Sequence, residues 1–230
     1  MSHSYVLLLL NMDFYHVFNR GVDKRTVVED DEDRLRFLQG LYLYNNANHI
    51  VRNVGRLAAQ STFTQPRQLL VQIHAFCLMD NHYHLLLSPI DDDPANLSAF
   101  MRKLNMGYTK YFNEKYDRSG ALWQGKYKSV HIQQDAHFMY IPHYIHLNAL
   151  DTKLPQWRDG TIQNVTSALT ALKDYKWSSY RSYLGNNHYR SITARIELSK
   201  ILGSPAEQID EIKRIITQPK KAADSALLEL

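Results

Sequence analysis

The chain has 230 residues, a net charge of +4 and a pI of about 9.0. With 44% apolar and 22% charged residues it can bury a core, which excludes a disordered or fibrous chain. The single cysteine, Cys77, excludes an internal disulfide framework and a thiolate zinc site, and fits a reducing, cytoplasmic setting. The modest basic excess favours a polyanionic partner such as nucleic acid without requiring one.

Tyr5–Leu10 is apolar, but it lacks a basic lead-in and is too short for a signal core or a membrane span. Residues 1–11 read as upstream readthrough before a start at Met12. Phe14–Asn19 has strand composition and closes at Arg20-Gly21. Acidic Glu29–Asp33 precedes Leu35, Phe37, Leu38, Leu41 and Tyr42, which is helical spacing with negative charge in the first turn. Residues 50–69 show no clear period and read as a loop, with room for a short helix.

Val71–Met79 is apolar on both faces, as in a strand inside a covered sheet. Asp80-Asn81 marks a turn, and His82–Ser88 reads as the second strand of a hairpin ended by Pro89. Asp93-Pro94 opens a helix carrying Leu97, Phe100, Met101, Leu104, Tyr108, Tyr111 and Phe112 on one side. Ala121–Ile132 resumes strand character, with Gly125 as a candidate bulge. Asp135 is placed to cap a last helix reaching about Leu150. Pro142 lies inside that span, which implies either a kink or a helix that restarts there.

The order β-α-β-β-α-β-α predicts an α+β fold, a ferredoxin-like split βαβ with an antiparallel sheet and helices on one face. Residues 13–150 form the expected domain. Residues 151–230 form a linker and a small helical C-terminal extension, with helices near Val165–Lys173, Thr193–Leu202 and Pro205–Thr217 and a frayed end.

His82 and His84 are two apart on the predicted strand, so their imidazoles share a face and can converge on one divalent ion. Tyr83 and Leu85 then face the core. Two histidines leave the shell incomplete, and the other histidines, His74, His131, His143 and His146 among them, do not single out a third ligand. Tyr144 and Asn148 stand four apart on the last helix, so a phenol and an amide oxygen can approach one point. The phenol can act as a nucleophile and the amide as a neutral ligand. With 11 histidines and 15 tyrosines in the chain, spacing alone does not decide either role.

Five blocks carry a resemblance. They are Tyr15-His16-Val17-Phe18-Asn19-Arg20-Gly21, the run from His74 through His82-Tyr83-His84 to Leu87, the run from Ser119 through Trp123-Gln124-Gly125-Lys126-Tyr127-Lys128 to Ser129, Tyr144-Ile145-His146-Leu147-Asn148, and Trp177 to Gly185. Together they resemble the single-tyrosine transposases of the HUH superfamily, and within it the REP-associated tyrosine transposase branch. The resemblance implies His82, His84 and Asn148 as ligands of Mg²⁺ or Mn²⁺. It implies Tyr144 as the nucleophile, and single-stranded DNA beside hairpins as the substrate. It further implies a 5′-phosphotyrosine link and a freed 3′-hydroxyl. Here Ala149 follows the asparagine, where the family usually has proline.

Loss of the phenolic proton would fall to the metal site or to a base such as His143 or His146. The chain has no phosphate-binding glycine loop, and a phosphotyrosine link needs no ATP. DNA contacts are expected from Arg20, Arg102, Lys103, Lys110, Arg118, Trp123, Gln124, Lys126, Tyr127 and Lys128, where cations meet phosphates and aromatic faces stack bases. Trp177, Tyr180 and Arg181 are expected to dock the tail. Competing readings are a histidine-based metal hydrolase, a non-catalytic nucleic-acid module and a domesticated nuclease. No membrane association is expected, and a homodimer stays open.

Overall fold

A computed structural model describes residues 12–48, 67–133, 135–185 and 189–218. Its centre is a four-stranded sheet of β1 (Phe14–Arg20), β2 (Val71–Leu78), β3 (His82–Pro89) and β4 (Lys128–Ile132). The strand order is β2-β3-β1-β4, and every neighbouring pair is antiparallel. α1 (Asp31–Leu43) joins β1 to β2, and α2 (Pro94–Lys115) joins β3 to β4. This is the expected ferredoxin-like arrangement of two interleaved βαβ units.

Local sequence accounts for the helix starts. Asp30 accepts a hydrogen bond from the Asp33 amide at 2.9 Å and caps α1. Asp93 does the same for α2 through the Ala95 amide, with Pro94 at the first helical position. On α2 the expected apolar stripe is buried, with Tyr111 half-buried beside it. On α1 Phe37, Leu38, Leu41 and Tyr42 are buried, but Leu35 is 51% exposed and lies off the core stripe.

The sheet is covered on both faces, as the two-sided apolar character of β2 demands. Val17, Ile73, Leu78, Tyr83, Leu85 and Leu87 pack against Phe37 and Leu41 of α1 and Phe100 and Leu104 of α2. The expectation of helices on one face holds for these two alone. Phe14, Ala75, Cys77 and Leu86 form a second core under α3 (Asp135–Leu147), which occupies the other face. The C-terminal extension joins this second core through Trp157, Tyr180, Tyr183, Leu198, Ile212 and Ile216. Its helices are α4 (Val165–Asp174), α5 (Tyr180–Tyr183), α6 (Arg195–Leu202) and α7 (Pro205–Thr217). α7 starts with a Ser204–Glu207 capping box.

The extension also docks on the free edge of β2. The Leu78 amide donates to the Trp177 carbonyl at 2.9 Å, Ser179 to Phe76 at 2.9 Å and Ala194 to Ile73 at 2.8 Å. The Tyr183 hydroxyl donates to the His74 carbonyl at 2.6 Å.

Two expectations need correction. The strand expected over Ala121–Ile132 is confined to Lys128–Ile132. The preceding segment buries Leu122 and Trp123 instead, bridges Trp123 to Gly21, and turns at Gly125 with φ +137°, a left-handed value that favours glycine. The last helix neither restarts at Pro142 nor reaches Leu150. It begins at Asp135, runs through Pro142 to Leu147, and tightens into a 3₁₀ turn over Asn148–Leu150. The expectations for residues 1–11, for most of the loop at 50–69 and for the frayed end lie outside the described residues. Among the described residues no helix is long and apolar enough to cross a membrane.

Candidate active site

Strand alternation puts Phe14, His16 and Phe18 of β1 on the same face as His82 and His84 of β3, and α3 crosses that face. Tyr83 and Leu85 point to the opposite core, as the period of two requires. A cleft of about 720 Å³ opens here, walled by His82 and His84, by Tyr144 of α3, and by Asp151 and Arg158 of the extension. Arg20, Gln124, Lys126 and Lys128 form its rim.

Each imidazole is oriented through one nitrogen. His82 Nδ1 lies 2.5 Å from Asn81 Oδ1, which can only accept, so Nδ1 carries the proton and Nε2 keeps its lone pair. His84 Nδ1 and His16 Nε2 share a 2.7 Å hydrogen bond, which leaves His84 Nε2 as the atom able to take a cation. The His82 and His84 rings stand with centres 5.3 Å apart. Burial, with help from nearby cations, lowers the His82 pKa to about 3 and drives that of His84 well below its ordinary value. Both are therefore neutral near pH 7, the form in which imidazole binds a metal. His16, lowered to about 3 by burial, is the supporting residue that sequence reasoning did not assign. Its position in β1, two before Phe18 across from His84, is the signal that could have found it.

Tyr144 is only 2% exposed, and its ring centre lies 5.7 Å from that of His84 and 5.8 Å from that of His16. The sequence pairing of Tyr144 with Asn148 is realised, with a different use of the amide. Asn148 Nδ2 donates to the Tyr144 carbonyl at 2.8 Å, and its Oδ1 accepts from Arg158 Nη2 at 2.9 Å. Arg158 also bonds Asp151, through Nη2 at 2.7 Å and Nε at 3.1 Å, and sends Nη1 to the Tyr144 hydroxyl at 3.4 Å. Trp157 Nε1 donates to the same Asp151 carboxylate at 2.7 Å. Asp151 and Arg158 fall in what reads as linker sequence, where no spacing rule points to them.

The donor set fits a divalent ion at His82 and His84. At Asn148 it fits only if Arg158 gives up the amide oxygen. Among the described residues there is no group of three or more His, Cys, Asp and Glu side chains able to hold a metal.

The remaining expected residues divide. His143 and His146 do not line the cleft. His146 bonds Ser179 at 2.8 Å, and His143 is buried near Glu211 and Arg214, so neither is placed to deprotonate Tyr144. Trp123 is 6% exposed and packs on Tyr83, which rules out base stacking from its present position. Lys103 is tied to the Asn46 carbonyl at 2.7 Å, Lys110 pairs with Glu114, and Arg118 bonds Asn113. These three sit away from the cleft. Arg102 and Tyr127 line a separate groove that meets the cleft at Lys126.

Residues 52–148 match the model of the family described as IS200-like transposases. No curated protein matches the sequence. A solved structure described as a REP-associated tyrosine transposase bound to a REP hairpin aligns with 80% of this chain and 85% of its own, at 13% identity and a TM-score of 0.46. The matched segment, residues 52–148, includes His82, His84, Tyr144 and Asn148.

Proposed function

We propose that this chain cuts and rejoins single-stranded DNA at hairpin-flanked sites, with Tyr144 as nucleophile and a divalent ion bound by His82, His84 and Asn148. The observation that carries this reading is the meeting of Tyr144 with the neutral His82–His84 pair in one cleft of one chain. The transposase family match and the basic rim of Arg20, Lys126 and Lys128 support it.

Bound Mg²⁺ or Mn²⁺ would polarise the scissile phosphate and neutralise charge on it. The rim cations would draw the strand in and hold its backbone. Tyr144 Oη would then attack phosphorus in line, forming the Oη–P bond as the P–O3′ bond breaks. The leaving 3′-oxygen takes up a proton and the phenol gives one to solvent. Reversal by another 3′-hydroxyl rejoins the strand and conserves the bond energy.

Labelled single-stranded hairpin DNA incubated with the protein and Mg²⁺ or Mn²⁺ should give a covalent adduct on a denaturing gel. A Tyr144→Phe variant should give none while retaining DNA binding. Absence of adduct from the unaltered protein over a broad substrate panel would overturn the reading, and an active Tyr144→Phe variant would favour a metal hydrolase instead.

A further inference from the structure

The family-matched segment ends at residue 148, yet the cleft is completed by a cation beyond it. We propose that Arg158 is a catalytic residue that binds the non-bridging oxygens of the scissile phosphate, held in place by Asp151; this rests on the reading of Tyr144 as nucleophile.

The geometry restricts what Arg158 can do. Its Nη1 lies 3.4 Å from Tyr144 Oη, the atom that would become the bridging oxygen of the phosphotyrosine. Non-bridging oxygens on that phosphorus then fall within hydrogen-bonding reach of the same guanidinium. A planar guanidinium matches two phosphate oxygens and stays charged at any working pH. Asp151 grips Arg158 through Nε and Nη2, and Trp157 fixes the carboxylate from behind. The guanidinium is therefore oriented before DNA arrives, and its side chain is still 29% exposed. The contact to Asn148 Oδ1 is the one that a phosphate oxygen can replace. That exchange would release the amide oxygen for the divalent ion. In the reaction the Oη–P bond forms and the P–O3′ bond breaks. Arg158 neutralises the charge that gathers on the phosphate oxygens between those events, without gaining or losing a proton.

The test compares unaltered protein, Arg158→Ala and Arg158→Lys on a normal substrate and on one with a neutral methylphosphonate at the scissile position. On the phosphodiester, Arg158→Ala should slow adduct formation about 100- to 1000-fold, the cost of removing one preorganised charge donor, and Arg158→Lys should recover part of it. On the methylphosphonate, which has no negative charge to neutralise, the gap between unaltered and Arg158→Ala protein should shrink to below about tenfold. A residue that merely props up the fold would slow both substrates equally, and that outcome overturns the proposal. So does an Arg158→Ala protein as fast as the original on the phosphodiester. If the unaltered protein forms no adduct, the reading of Tyr144 itself fails, which the other outcomes leave standing.

Discussion

His16 shows how much of a site can depend on a side chain that touches no substrate. Its 2.7 Å hydrogen bond to Nδ1 fixes the rotation of His84 and leaves Nε2 as the nitrogen not engaged by His16. Replacing His16 with Leu should weaken Mn²⁺ binding about 10- to 100-fold, read by titration of the metal against the protein without DNA. Unchanged affinity would show that His84 needs no such support. The opposite direction is expected at Arg158. Its removal frees Asn148 Oδ1 and takes a positive charge from the site, so Arg158→Ala should bind Mn²⁺ more tightly than the original. At this scale the shared face of His82 and His84 was legible because a strand period of two places them together. Arg158 was not, because its partners Tyr144, Asn148 and Asp151 meet it only through the turn after α3.

Helix spans followed from caps and periods more readily than strands did. Asp93-Pro94 and Ser204-Pro205 fix the starts of α2 and α7 through bonds made within a few residues. The segment before β4 misled because Leu122 and Trp123 look like strand residues but are buried as irregular chain beside β1, where Gly125 sets a backbone angle no periodicity encodes. The α1–α2 contact has a comparable hidden constraint at Gly107. A Cβ there would overlap the ring and hydroxyl of Tyr44. Alanine is the better helix former by about 1 kcal/mol, yet the overlap should win and cost about 1–3 kcal/mol. Chemical denaturation of Gly107→Ala decides between the two signs, and a gain in stability would show that Tyr44 moves aside freely.

Across the whole molecule, the sheet needs the extension to cover its second face, so one core crosses the boundary between residues 150 and 151. That dependence was illegible in the sequence, where residues 151–176 look like a linker, because Trp157 and Tyr180 show their purpose only against α3 and β2. The same core encloses His74, His143 and His146 as neutral side chains, with pKa values lowered by burial to about 4, 4 and 3. Below about pH 6.5 the unfolded chain takes up protons at these sites and the folded chain does not, so stability is full above that pH and lost as pH falls. Each group should remove about 1.4 kcal/mol per pH unit until its folded pKa is reached. Urea midpoints at pH 7.5 and pH 5.5 measure this, and equal midpoints would contradict it.

The clasp of Trp177, Ser179 and Ala194 on β2 has one more consequence, for behaviour in a crowded solution. A bare strand edge is a template on which another copy of the chain can pair. The backbone of Trp177, Ser179 and Ala194 already occupies that edge, and the opposite edge, β4, is short and carries Lys128 and His131. The extension therefore keeps the sheet from recruiting its own neighbours, and a chain shortened before residue 177 should self-associate even at temperatures where the intact protein stays dispersed.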